Sequence, residues 1–287
     1  MKVAIVGAGR VGTCVGVLLT RAGHRVVAVS GRGPTRDRAL RFLPDARVLE
    51  PAATAREGEL IFVGMPDDLI AGTVASIAAD GALHEGQFVA HGSGALGLDV
   101  LTPARESGAR RLGIHPLQAI PDVGHGLDRI PGCAIAVAAD DDEGYRVAER
   151  IADDLGGDPF RLDEAMRPLY HAAAVLASND LVVLTAAAGE LLAAAGVPDP
   201  ARAMRALQGA TLENIADLGP AQALTGPAVR GDAGTVARNL EALGARAPHT
   251  VAAYVALTRL ALHLAADGGR LAPDGRDAVE AVLARWS

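Results

Sequence analysis

Apolar residues in the first half of the chain come in short, β-branched runs separated by segments with helical spacing. Six runs read as strands: Lys2–Val6, Arg25–Val29, Leu60–Gly64, Gln87–Ala90, Arg111–Ile114 and Ala134–Ala138. Helical spacing fills Val11–Ala22, a stretch near Leu69–Ala79, and Asp142–Leu155. This alternation predicts an α/β fold with a doubly wound, mostly parallel sheet covered by helices on both faces. After Asp158-Pro159-Phe160 the strand-like runs cease and an Ala/Leu-rich helical pattern takes over. Pro198, Pro200, Gly219-Pro220, Gly226-Pro227 and Pro248 should cut this second part into roughly four to six helices.

Gly7-Ala8-Gly9-Arg10-Val11-Gly12 sits where the first strand passes into the first helix, the context in which a glycine pattern carries meaning. Gly7 permits a tight turn, Gly9 lets a pyrophosphate approach the backbone, and Gly12 allows helix and strand to pack closely. The helix start directs free N–H groups at the phosphates. The first part therefore reads as a Rossmann dinucleotide-binding domain over 1–162, and the all-helical remainder, 163–287, as a substrate and dimerisation domain.

An NAD-selective domain places an acidic residue at the end of its second strand, to meet the ribose 2′-hydroxyl. Here Ser30-Gly31-Arg32 stands there, and a hydroxyl with a guanidinium suits a 2′-phosphate, so NADP(H) is the expected cofactor. Arg36, Arg38 and Arg41, taken singly, read as a solvated helix face. Met65-Pro66 follows a later strand and should pass beneath the ribose and nicotinamide, with Pro66 stiffening the turn. Asp67 or Asp68 is expected to cap the next helix.

The chain has 287 residues, 50% of them apolar, and a net charge of −7. Basic and acidic residues number 17 and 21 through Leu162, then 10 and 13, so neither part has the basic excess of a nucleic-acid binder. Two cysteines, Cys14 and Cys133, read as small buried apolar residues in a reducing cytoplasm. The first apolar run ends in a glycine turn and reads as a strand, not a signal peptide. The most apolar stretch, Ala172 to Val197, is interrupted by Ser178, Asn179, Asp180 and Glu190, and is expected to be a buried helix of a soluble protein with no membrane association. Lys2 is the only lysine.

Strand ends that face the crevice of an open α/β sheet carry its chemistry. His91-Gly92-Ser93-Gly94 and His115-Pro116 lie at two such ends. Tyr170-His171 precedes the apolar run, and spacings of seven and eight place Ser178 and Asn179 on the face of His171. In a later loop, Thr225 and Arg230 are candidate contacts for a substrate carboxylate, and Asp232 a helix cap. No metal site is expected, since histidines and cysteines do not cluster. Ser93 is not in a Gly-x-Ser-x-Gly elbow, since residue 91 is histidine.

Together, Gly7–Gly12, His91-Gly92-Ser93-Gly94, His115-Pro116, Tyr170-His171 with Asn179, and Thr225-Gly226-Pro227 with Arg230-Gly231-Asp232 resemble a bacterial family across essentially the whole chain. That family joins a Rossmann-like oxidoreductase domain to a C-terminal domain of unknown function, DUF2520. More distantly the chain resembles ketopantoate reductase, pyrroline-5-carboxylate reductase and the β-hydroxyacid dehydrogenases, which implies NADPH-dependent reduction of a carbonyl or imine, and a homodimer. The resemblance places Ser93 and Gly94 in a substrate loop and Asn179 on the interdomain helix. Where the dehydrogenases have a catalytic lysine this chain has His171, which makes His171 the expected proton donor, with His91 and His115 as rivals. The leading expectation is an NADPH-dependent reductase of a small 2-oxo acid, ketopantoate first among them. A dinucleotide-binding sensor without turnover and an imine reductase are the alternatives.

Overall fold

A computed structural model describes residues 1–286. The chain forms two compact units, Met1–Asn179 and Asp180 onward. The alternating pattern ceases at Leu162, yet the first unit continues to Asn179, because the next helix begins with a side chain buried against the sheet.

The sheet of the first unit has eight strands: β1 (Lys2–Val6), β2 (Arg25–Ser30), β3 (Arg47–Val48), β4 (Leu60–Val63), β5 (Phe88–His91), β6 (Arg110–Pro116), β7 (Ala134–Ala139) and β8 (Asp158–Arg161). Their order is β3-β2-β1-β4-β5-β6-β7-β8. All neighbours are parallel except β6 and β7. The six expected strands are all present, and the short edge strands β3 and β8 are additional. Pro159 is tolerated in β8 because an edge strand has one side with no ladder to complete.

Helices α1 (Arg10–Arg21), α2 (Pro34–Phe42), α3 (Pro51–Arg56), α4 (Asp67–Ala79), α5 (Thr102–Glu106), α6 (Val123–Arg129), α7 (Asp142–Asp154) and α8 (Arg167–Ala177) complete this unit. The central strands are apolar throughout because both faces are covered. Side chains alternate between two cores: Val3, Ile5, Leu60 and Phe62 join that of α1 and α7, while Ala4, Val6, Ile61 and Val63 join that of α4 and α5. Each large buried side chain such as Phe62 contributes about 1.5–3 kcal/mol. The chain runs outward from β1 in one direction through β2 and β3, then restarts at β4 in the other. The crevice of such a fold opens at the C-terminal ends of β1 and β4.

The second unit holds most of α9 (Asn179–Ala194), then α10 (Pro200–Leu218), α11 (Pro220–Ala223), α12 (Ala233–Arg246), α13 (Val251–Asp267) and α14 (Pro273–Leu283). More helices occur than the sequence pattern suggested, since Ser178 splits one run and Gly219-Pro220 opens the short α11. Val236, Leu240, Val255, Leu262, Val279 and Leu283 form the core of α12 to α14. Helices α9 and α10 run antiparallel, with Gln208 donating to Thr185 at 2.7 Å and Gly189 against Met204. Neither contains a buried residue.

The apolar run expected as one buried helix is thus two helices, and of its residues none is buried within the chain. Glu164–Ala194 is also the one segment, among the described residues, long and apolar enough to cross a membrane. Its start is fixed to the sheet by Arg167, which is 1% exposed.

Candidate active site

The glycine turn has the geometry of a phosphate cradle. Gly7 has φ +89°, a conformation costly for any other residue. A β-carbon on Gly12 would stand 2.5 Å from the Gly7 carbonyl oxygen, so helix and strand touch only because it is absent. Gly9 precedes α1 with no side-chain cap, which leaves the first-turn N–H groups free for an anion. Ala8 is buried, Val11 half-buried and Arg10 exposed, its guanidinium donating to the Pro121 carbonyl at 3.0 Å. These features fit the pyrophosphate of a nicotinamide dinucleotide.

Ser30 is buried, and its Oγ accepts from the Gly7 N–H at 3.1 Å. Its hydroxyl braces the turn from behind. Arg32, in contrast, is 91% exposed and lies 3.7 Å from Glu50. It is free to meet a 2′-phosphate. Of the neighbouring arginines, Arg38 reaches back to the Ala8 carbonyl at 3.5 Å, while Arg36 and Arg41 are exposed.

At the end of β4, Gly64 lies against Gly12, Met65 is half-buried and Pro66 starts α4. No side chain caps α4, contrary to the expectation for Asp67 and Asp68. Asp67 Oδ2 instead accepts from Ser93 Oγ at 2.7 Å, because the β5 loop brings that hydroxyl within reach. Ser93 Oγ also accepts from the N–H groups of Ala95 and Leu96, at 3.2 and 3.0 Å. The hydroxyl is occupied in holding the loop. A β-carbon on Gly92 would lie 3.5 Å from the Val11 side chain, so this loop abuts the first turn of α1.

His91 is fully buried at the end of β5. Its Nδ1 accepts from the Ser93 N–H at 3.2 Å, which places the ring proton on Nε2, where it donates to the Gly97 carbonyl at 3.1 Å. Burial, with Arg167 adding to it, lowers its pKa to about 4. His91 is a neutral brace spanning residues 93–97.

Arg167, at the head of α8, was not foreseen. Its Nε donates to Glu164 Oε1 at 2.6 Å and its Nη1 to the Ser93 carbonyl at 3.4 Å. Glu164 Oε2 in turn accepts from the Leu98 N–H at 2.6 Å. The only sequence hint was a Glu–Arg pair three residues apart, a spacing that ordinarily marks a solvated helix pair. The guanidinium lies over Gly113 on β6, and residue 115 shares that strand face.

His115 and His171 converge on Gly94. A β-carbon there would lie 2.8 Å from His115 Nε2 and 3.0 Å from His171 Nδ1. His115 Nδ1 is 2.7 Å from the Tyr170 hydroxyl, with the rings edge to face. Burial, then His171 and Arg167, lowers the His115 pKa to about 4, and burial raises that of Tyr170 to about 12. Among the described residues, Arg167 Nη2 and His171 Nδ1 are the buried side-chain polar atoms without a hydrogen bond.

Ser178 interrupts the helix, and Asn179 after it is exposed, making no hydrogen bond to the cluster. Thr225 and Arg230 are exposed residues of the second unit, and Asp232 caps α12 through the Thr235 N–H.

Residues 1–116 match the Rossmann-like domain and residues 133–261 match DUF2520, a domain of unknown function. A glycerol-3-phosphate dehydrogenase (NAD(P)+) from Agrobacterium fabrum is 31% identical over 221 residues, or 70% of this chain. The chain spans 64% of that relative's length. A Bacteroides fragilis structure titled as an NADP oxidoreductase superposes with a TM-score of 0.76 at 24% identity, over 91% of this chain and 98% of the other. A Thermotoga maritima structure superposes with a TM-score of 0.72 at 22% identity, over 93% of this chain and 100% of the other. At these identities the likeness is one of fold. The chain thus carries a Rossmann-like domain followed by a DUF2520 domain.

Proposed function

We propose that this protein is an NADPH-dependent reductase of a small 2-oxo acid, producing the 2-hydroxy acid. The observation that carries the reading is the juxtaposition of the uncapped glycine turn with the Gly94 loop, where Val11 meets Gly92 and two imidazoles converge. A bound dinucleotide supplies a hydride to the substrate carbon. The chain's own contributions are then the phosphate cradle of Gly7 to Gly12, the Arg32 guanidinium for the 2′-phosphate, and the ring nitrogens of His115 and His171 for the carbonyl oxygen. Hydride addition builds negative charge on that oxygen, and donors placed about 3 Å away stabilise it. The relatives' names, an NADP oxidoreductase and an NAD(P)+ dehydrogenase of a small anionic substrate, agree with this chemistry.

A second copy of the chain is the partner that fits. Val182, Val183, Leu207, Leu212 and Leu218 are exposed along α9 and α10, and burial of such a face in a homodimer removes it from water.

The test is oxidation of NADPH, followed by absorbance, with a panel of 2-oxo acids that includes ketopantoate and with cyclic imines. Turnover of a 2-oxo acid is expected. Turnover of imines alone overturns the substrate class, and tight dinucleotide binding without oxidation of any substrate overturns the enzyme reading in favour of a sensor.

A further inference from the structure

We propose that Tyr170 and His115 form a neutral proton relay, in which His115 Nε2–H delivers a proton to the substrate oxygen while the Tyr170 hydroxyl refills His115 Nδ1. The inference rests on the reductase reading above and names the source of its proton.

The geometry is specific. The Tyr170 hydroxyl meets His115 Nδ1 at 2.7 Å and has no other hydrogen bond among the described residues. A neutral imidazole carries one proton. When the phenol donates to Nδ1, that proton sits on Nε2, the nitrogen turned toward Gly94 and His171 Nδ1. Both rings pack directly against the bare backbone of Gly94, where a β-carbon would collide with them.

His115 acting alone as a cationic acid does not fit its surroundings. Its burial and the neighbouring His171, Arg167 and His91 disfavour the imidazolium, against a weaker opposing pull from Asp67. With a pKa about three units below neutrality, roughly one molecule in a thousand would carry the charged acid. A neutral donor avoids this, provided its second nitrogen is filled as the first is emptied.

The step balances. Hydride from the reduced nicotinamide dinucleotide adds to the carbonyl carbon, and the C=O π electrons move to oxygen. The bond from His115 Nε2 to hydrogen breaks as the new O–H forms. The Tyr170 O–H breaks as hydrogen bonds to Nδ1, and the negative charge comes to rest on the phenolate. After product leaves, solvent protonates His115 Nε2 and the Nδ1 proton returns to the phenolate, which restores the starting tautomer. Arg167 favours the phenolate, opposing the effects of burial and of Cys133 on Tyr170. Tyr170 acts through His115 and does not touch substrate.

Tyr170→Phe tests the relay by two readouts. In ¹⁵N-histidine NMR of the wild type, His115 is expected as the neutral Nε2–H tautomer near pH 7; in Tyr170→Phe the Nδ1–H form should become populated. In mixtures of light and heavy water, the wild-type rate should follow a curved, two-proton dependence. Tyr170→Phe should turn over roughly 10²–10⁴-fold more slowly, with a linear dependence. An Nδ1–H tautomer in the wild type overturns the relay whether or not a substrate is known. So does a Tyr170→Phe enzyme of wild-type rate, which leaves the reductase reading intact. If no substrate turns over, the reductase reading fails, and the proposed reaction step with it.

Discussion

Nη2 of Arg167 stands over the bare backbone of Gly113, 2.5 Å from the point where a β-carbon would lie. Gly113 is paired with His91 on β5 and Ala138 on β7, so the guanidinium rests on the middle of the sheet. Gly113→Ala should push it off and cost about 1–3 kcal/mol of unfolding free energy, measured in urea. In an Arg167→Ala background the same substitution should be nearly free, giving a coupling of comparable size. Additive effects of the two substitutions would show that the contact does not constrain either residue.

The buried histidines make stability depend on pH. His91 and His115 have pKa values lowered to about 4 from 6.5, so below about pH 6.5 the unfolded chain takes up protons that the folded chain refuses. Their contribution is complete above that value and is lost as pH falls toward about 4. Each histidine adds a slope of up to about 1.4 kcal/mol per pH unit within the window. Urea unfolding between about pH 7 and 5 should show the combined slope in the wild type and about half of it in His91→Asn. A profile unchanged by His91→Asn would show that His91 is protonated alike in both states.

Cofactor preference should rest on Arg32. Its ion-pair partner among the described residues, Glu50, is 79% exposed, and an exposed pair of this kind is easily exchanged for a phosphate. NADPH should bind more tightly than NADH by roughly 10- to 150-fold, the value of one charge-assisted contact, and Arg32→Ala should remove most of that difference. Because Ser30 Oγ is engaged by Gly7, Ser30→Ala should instead weaken both dinucleotides alike. Calorimetric titration with each cofactor distinguishes these outcomes.

Light scattering at micromolar concentration should give a dimer. Val182→Asp combined with Leu207→Asp places charges on the uncovered faces of α9 and α10 and should shift the protein to monomer. A wild-type monomer would mean that this face has another partner.

The six main strands and helices α1, α4 and α7 were readable from sequence because a parallel sheet covered on both faces requires unbroken apolar runs, as in Leu60–Val63, between helical periods, whereas the helices α2, α3, α5 and α6 were not foreseen. The glycine turn was readable for a local reason: Gly7, Gly9 and Gly12 act through neighbours close in sequence or through the strand beside them. Edge strands β3 and β8 were not, since two to four half-exposed residues leave no pattern. The site was legible as a set of strand-end residues but not as a set of roles. Whether Ser93 offers its hydroxyl or spends it on Asp67, and whether His91 titrates or braces a loop, depends on partners far apart in sequence. Arg167 shows the difference most clearly. In sequence it is one more charge at a helix start, and only the tertiary structure, by laying α8 across Gly113, strips it of water and makes its charge count for the imidazoles and phenol around it.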